Sequence, residues 1–502
     1  MRASASEEAL KYYQEGLKLY LKSHKNKIDP EKAAMFEKNI ALVFYNKSRF
    51  NEAIPHFDKV FEYWGIPTHP NKIKTLPIFL KNIFLIKTGL NRSFKGEDPS
   101  KRDEQVLNIL FKLGFALAID DFNRASKIAI YMFNLAYRMN LSKSSDAPNM
   151  IMGFSSVIAI KRLTYNLPLK LLQICYEKMD QNNIENMINY RFFHSIICFY
   201  SGDWDKIKKN DIKIVNKACK EGKLDSATNY LWQAASVSVH IGDFHNALIM
   251  TSMLPKITKE YDYSLAKLHD YSQKAHYYFM KRELGNAIKM AAKSVELSRL
   301  QGREDHECGW LAKQAESSIV LNNLEEAQKI IHQAKSIVKR LKAINPTFLW
   351  LYHHSRFHLK IKLLKERKAL NDKQGMELFK KDALQYSKEI LKAYKNYMPC
   401  LPDCFKMIGE LYWLIGKQTT ALKWWTKSIK IGEKLGAKPD LSRTYFEIGK
   451  SLLSPESKYK KLNGITAEQY LDRAKTMFEE MELEWDLNEL GKVINYSIKD
   501  FK

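Results

Sequence analysis

The sequence predicts an all-α protein, a superhelical stack of antiparallel helical hairpins with a repeat of about 40 residues. Three observations carry this. The composition favours helices, because 20 Gly and 14 Pro in 502 residues are too few for the many tight turns of a β-rich protein. Small or apolar residues recur at Ile207, Ala247, Ala287 and Ala327, and again at Ser195, Ala235, Ala275 and Ala315, both at steps of 40. Chance alanines would drift out of such a register, so two positions keeping one step mark stacked hairpins. Finally, Leu401–Lys430 (LPDCFKMIGELYWLIGKQTTALKWWTKSIK) sets Phe405, Ile408, Gly409 and Tyr412 on one face of a first helix. A break at Gly416 follows, then Ala421, Trp425 and Ser428 on a second helix.

The bulk numbers agree. A chain of 502 residues exceeds a single ordinary core. Hydrophobic content of 45% argues against disorder. Six cysteines are sparse for this length and suit reduced thiols, so a cytoplasmic location is expected. No apolar run approaches the roughly 20 residues of a membrane span, and the N-terminal segment lacks the apolar core of a secretory signal. The net charge of +25 rests on 81 Lys+Arg against 56 Asp+Glu. Such a surface can meet nucleic acid, anionic lipid or acidic protein segments, although solvated lysines on long helices are the simpler reading.

In chain order, residues 1–70 read as N-terminal repeats. A helix over Glu7–Ser23 precedes a hairpin, Glu37–Phe61, whose packing slots are Ile40, Ala41, Phe44, Ala53 and Phe57. Pro55 sits in the first turn of its second helix, where a missing N–H is tolerated. Residues 71–180 form a divergent helical segment. Pro67, Pro70 and Pro77 punctuate a connection, 91–103 reads as a loop, and helical periodicity covers Gln105–Ile119, Phe122–Met139 and Asn149–Leu163. Residues 181–345 hold the regular repeats. A basic helical segment follows over 346–400, with Lys360, Lys362, Lys365, Arg367 and Lys368 on one helix. C-terminal repeats and a capping helix complete 401–502. There Gly409 is matched 40 positions on by Gly449, an insertion at Ser454–Thr466 delays the partner helix, and an acidic amphipathic helix closes the stack.

Several constellations offer chemistry and lose to simpler readings. Gly449-Lys450-Ser451 ends like a phosphate-binding loop, but the required earlier glycine is Thr444 and the segment is helical. His354 and His358 share a helix face beside His353 without completing a metal motif. Glu304–Cys308 reads as the charged start of a helix. Cys400 and Cys404 lack the second pair a zinc site needs. No catalytic, cofactor or metal residues are assigned, and no enzyme activity is expected. In Lys423-Trp424-Trp425-Thr426-Lys427, Trp425 fills a packing slot and Trp424 is left for recognition. The expected partner-binding residues are Asn39, Lys406, Trp424 and Lys450, which flank the packing slots.

The spacing in Leu401–Lys430 follows the W-x-x-L-G-x-x-Y and A-x-x-x-F pattern, and the chain is identified as a member of the tetratricopeptide-repeat superfamily. FYNKSRFNEAIPHFDKVFEYWGIP and TYFEIGKSLL…ITAEQYLDRAKTMFEEMELEWDL resemble the C-terminal helical-repeat region of soluble adenylyl cyclase-like and AAA-type regulatory signalling ATPases. That resemblance implies a regulatory sensor, with a cyclase, kinase or ATPase module upstream or in trans as partner. The upstream modules' metal-binding aspartates and phosphate loop are not found, so their activities do not carry over. The function expected is a non-catalytic protein-binding scaffold or sensor. First helices would line a concave groove that holds a partner peptide or helix. The alternatives are a regulatory part of a cyclase, kinase or ATPase protein, or a basic nucleic-acid-binding repeat.

Overall fold

The computed structural model describes residues 2–24, 27–68, 72–88, 96–341 and 344–500. Among them the chain forms 23 α-helices and one two-stranded hairpin. The N-terminal part holds α1 (Arg2–Ser23), α2 (Pro30–Asn46), α3 (Phe50–Tyr63), α4 (Lys72–Lys87), α5 (Lys101–Asp120), α6 (Phe122–Ala136), α7 (Ala147–Ile160) and α8 (Asn166–Lys178). The middle holds α9 (Ile184–Ser201), α10 (Ile212–Lys220), α11 (Leu224–Ile241), α12 (Phe244–Tyr261), α13 (Ser264–Met280), α14 (Leu284–Leu300), α15 (Glu304–Val320) and α16 (Leu324–Arg340). The last part comprises α17 (Pro346–Ala369), α18 (Lys373–Tyr394), α19 (Leu401–Leu414), α20 (Gln418–Leu435), α21 (Lys438–Leu453), α22 (Ala467–Glu480) and α23 (Glu484–Asp500).

Local chemistry sets the helix ends. Asp29 accepts the N–H of Glu31 ahead of Pro30, and Asn183, Asp243 and Asn323 accept from the N–H three residues on at the starts of α9, α12 and α16. Ser100 with Asp103 and Thr466 with Gln469 form reciprocal capping boxes. The register alanines Ala235, Ala275, Ala315, Ala247, Ala287 and Ala327 are all fully buried, which lets helices cross closely.

The structure differs from the sequence reading at several places. Pro55 is the sixth residue of α3 and lies inside that helix rather than in its first turn, and α5 begins at Lys101, within the expected loop over 91–103. Ile207 lies after a 3-10 turn at Trp204–Lys206 and is half-buried, so the second helix of that repeat starts late, at Ile212. Pro77 falls inside α4 rather than in a connection; Pro70 and residues 91–95 lie outside the described residues. The insertion at Ser454–Thr466 carries a hairpin of β1 (Lys461–Leu462) and β2 (Ile465–Thr466). The acidic closing helix is two helices, broken at Glu482, whose φ is +53°.

The superhelix closes on itself. Arg162 Nη1 donates to the carbonyl of Ala393 (2.6 Å), Tyr165 Oη to that of Asn396 (2.6 Å), and Lys281 Nζ to that of Met481 (3.1 Å). Arg443 on α21 donates Nη2 to the carbonyl of Met280 (2.6 Å) while its guanidinium grips Asp486 at 3.1 and 2.8 Å. Gly242 ends α11 with φ +82°, and a Cβ there would stand 2.6 Å from Met481 Sδ and 3.2 Å from Lys438 Cβ, so closure needs the bare glycine. Helices some 200 positions apart in sequence thus face one another around a central space.

Candidate functional site in the axial cavity

The inner faces of α9, α11, α13, α15, α17, α19 and α21 line one cavity, with about 170 Å³ open to water-sized molecules. These are the first helices of successive hairpins. Phe199, Tyr200, Trp232, Trp310, Phe348 and Trp350 give it aromatic surface, interleaved with charged side chains from α15, α17, α19 and α21. An apolar concavity with a few converging polar groups is the usual form of a ligand site.

Glu316 is almost fully buried, and His354 and His358 reach it from α17, with Nδ1 atoms 3.3 and 2.6 Å from its two oxygens. His354 also pairs through Nε2 with Asp403 of α19. Asp403 in turn takes Lys406 at 2.5 Å, and Lys365 lies 3.4 Å from Glu410. Burial alone would lower the His354 pKa, but Glu316 and Asp403 outweigh it and raise it to about 9. Burial would raise Glu316, yet the two imidazoles hold it well below the usual carboxylate range. Asp440 is pushed up to about 6 by burial and by Asp403. His240 is lowered to about 4 by burial, with the nearby Lys313 charge adding to the effect.

Two cations differ from these. Lys313 is 6% exposed, its ammonium sits 3.9 Å from the centre of the Phe279 ring, and that ammonium has no hydrogen-bond or ion-pair partner among the described residues. Burial lowers its pKa to about 8, Glu316 partly opposing and Arg282 reinforcing the shift. Arg282, on the turn after α13, is half-buried with its guanidinium carbon 4.9 Å from the Phe279 centroid. Its Nη1 is buried without a hydrogen-bond partner. Gln273 Oε1 and His276 Nε2 are also buried without partners.

Of the four expected partner-binding residues, Lys406 lies in this cavity. Asn39 is half-buried on α2. Trp424 is on the second helix α20, its ring 5.4 Å from that of Phe405 and beneath Lys427 Nζ at 4.0 Å. Lys450 pairs with Glu447 at 2.5 Å. The structure does not bring these four together. His354 and His358 are partners of Glu316, and no group of three or more His, Cys, Asp or Glu among the described residues has metal-site geometry. Cys404 is a buried thiol of α19, as its position predicts. The basic segment is largely paired: Lys360 with Asp382, Lys368 with Glu456 and Arg367 with Asp372.

Sequence reasoning missed Gln233, Gln273 and Lys313, and Ser236, His276 and Glu316. Both sets keep the 40-residue step, displaced from the buried alanines by −2 and +1. Polar residues in register beside a packing slot were the available signal.

No helix among the described residues is long and apolar enough to cross a membrane. No family model matches the chain, and neither does any curated protein. Among solved structures, the chain is similar to one described as a Rap protein complexed with competence and sporulation factor. That likeness has 14% identity and a TM-score of 0.50, and spans 78% of this chain and all of the other. At that identity the likeness concerns the fold, a tetratricopeptide-like stack of helical hairpins.

Proposed function

We propose that this protein is a non-catalytic sensor module that receives a segment of a partner polypeptide in its axial cavity. The observation that carries the reading is the combination of ring closure and unpaired amide-like groups on the inner helices. An extended peptide presents alternating N–H and C=O groups, which need acceptors and donors in a confined space. Gln273 Oε1 and His276 Nε2 lie free on the cavity wall beside aromatic surface that would take an apolar side chain. The neighbour of similar fold, a Rap protein, was solved complexed with a factor, which supports a binding role.

In this reading Lys406, on the cavity lining, would meet such a segment, whereas Asn39, Trp424 and Lys450 would serve a separate outer contact. The further form of this reading, suggested by the two quoted end segments, is control of a cyclase, kinase or ATPase module.

Selection from a random decapeptide display library tests the reading. Peptides enriched on the native protein are expected to lose binding at least tenfold to Ser236→Trp, which fills the cavity from α11. Enrichment indifferent to that substitution, or no enrichment, overturns it.

A further inference from the structure

The left-handed turn residues that end first helices α9, α11, α13 and α15 keep the repeat step: Gly202, Gly242, Arg282 and Asn322, with φ of +83°, +82°, +62° and +63°. Glycine and asparagine are the residues that tolerate this conformation; a long side chain there is strained. Arg282 is nevertheless held there, its own N–H donating to the Phe279 carbonyl (3.1 Å) and the Glu283 N–H to that of Tyr278 (2.9 Å). Arg162, one step before Gly202, holds φ +56° and donates its guanidinium to the Ala393 carbonyl, whereas no such partner meets the Arg282 guanidinium among the described residues; strain kept at such a turn points to a role for the side chain that incurs it.

Lys313 is a second departure at the same place. Its register mates on α11 and α13 are Gln233 and Gln273, neutral residues of similar length. Both unpaired cations of the cavity therefore stand where neighbouring repeats carry an uncharged residue, and both lie over the Phe279 ring. A buried charge without a counter-ion is costly and is normally paired. The cavity's other carboxylates are mostly taken: Glu316 by His354 and His358, Asp403 by His354 and Lys406, Glu410 by Lys365. Asp440, the remaining carboxylate of the lining, faces Lys406 and Arg443, so Arg282 and Lys313 are left without a counter-ion of their own.

We propose that Arg282 and Lys313 form a carboxylate subsite, the point at which the cavity recognises a singly charged acidic group on its ligand. A guanidinium fork with an adjacent ammonium fits the two oxygens of a carboxylate. Glu316, Asp403 and Asp440 nearby would oppose a dianion such as phosphate. This deepens the reading of the cavity as a peptide site, where the carboxylate is an Asp or Glu side chain or a chain terminus.

The test compares wild type with Arg282→Gly/Lys313→Gln, which restores the residues of the adjacent repeats. Its melting temperature is expected to be unchanged or higher, since strain and buried charge are both removed. The probes are 3-phenylpropionate against its neutral amide, followed by tryptophan fluorescence, and the selected decapeptides against forms with an amidated terminus or with Asp and Glu replaced by Asn and Gln. Wild type is expected to prefer 3-phenylpropionate over the amide at least tenfold, the double variant to show no preference, and one of the two peptide replacements to weaken binding by a similar factor, identifying the source. Equal binding of the acid and amide to wild type, or a preference kept by the variant, overturns the subsite. Peptides that bind with no carboxylate preference overturn the subsite and leave the peptide reading standing. Carboxylate preference without any selected peptide does the reverse.

Discussion

A Cβ built on Gly409 of α19 would stand 2.3 Å from the indole Nε1 of Trp425 on α20, which donates to the Lys406 carbonyl at 3.2 Å. The glycine is the hole and the tryptophan the knob, and both lie on the hairpin whose spacing first marks the repeat. Trp425 is fully buried and cannot retreat. Gly409→Ala is expected to destabilise the fold by about 1–3 kcal/mol through overpacking. Urea unfolding checks this, and an unchanged midpoint would mean the indole has somewhere else to go.

The register alanines give a sharper result. Ala287 and Ala421 are fully buried at helix crossings. Ala287→Arg or Ala421→Arg buries an unpaired charge in a space sized for a methyl group, among the mechanisms that cost more than about 4 kcal/mol. Both variants are expected to melt at least about 4 °C below the native protein, since a chain of this length loses about 1 °C per kcal/mol; an unchanged melting temperature would contradict the crossing.

Ring closure hangs on Arg443, which joins α21 to Asp486 and to the carbonyl of Met280. Arg443→Leu leaves Asp486 buried and unpaired, a loss of about 3–5 kcal/mol. Small-angle scattering is expected to show a larger radius of gyration, and proteases to cut at the loosened C-terminal helices first.

The buried histidine network sets a pH dependence. His354 has its pKa raised from 6.5 to about 9 in the folded protein. A raised imidazole contributes stability that is complete below the unfolded value and lost as pH climbs through the folded one. Thermal stability should therefore fall between pH 6.5 and about 9, and His354→Asn should flatten that portion of the profile. A profile of the same shape in the variant would assign the loss to other groups.

Much of the fold was legible because packing leaves a periodic mark. Ala247, Ala287 and Ala327 must be small wherever second helices cross, and that necessity shows in one sequence. Ile207 kept the step without taking the helical position, because residues between Ile207 and Ile212 form an extra connection before α10. Closure of the ring was not legible. It arises from small rotations accumulated over successive hairpins, and the contacts it produces, such as Arg443 with Met280, join positions with no sequence relation. The same holds for the site: Glu316, His354 and Asp403 belong to three helices whose approach only the superhelix defines. Lys313 could be seen as the charged member of a register it shares with Gln233 and Gln273, but its lack of a partner could not.

The central claim is that ligand enters the axial cavity, and photo-crosslinking tests it most directly. A selected decapeptide carrying a benzophenone side chain, irradiated with the protein and mapped by mass spectrometry, is predicted to label residues of α11, α13, α15 and α17 near Trp232, His276, Trp310 and Trp350. Labelling confined to the second helices α12, α14, α16 and α20 would contradict it.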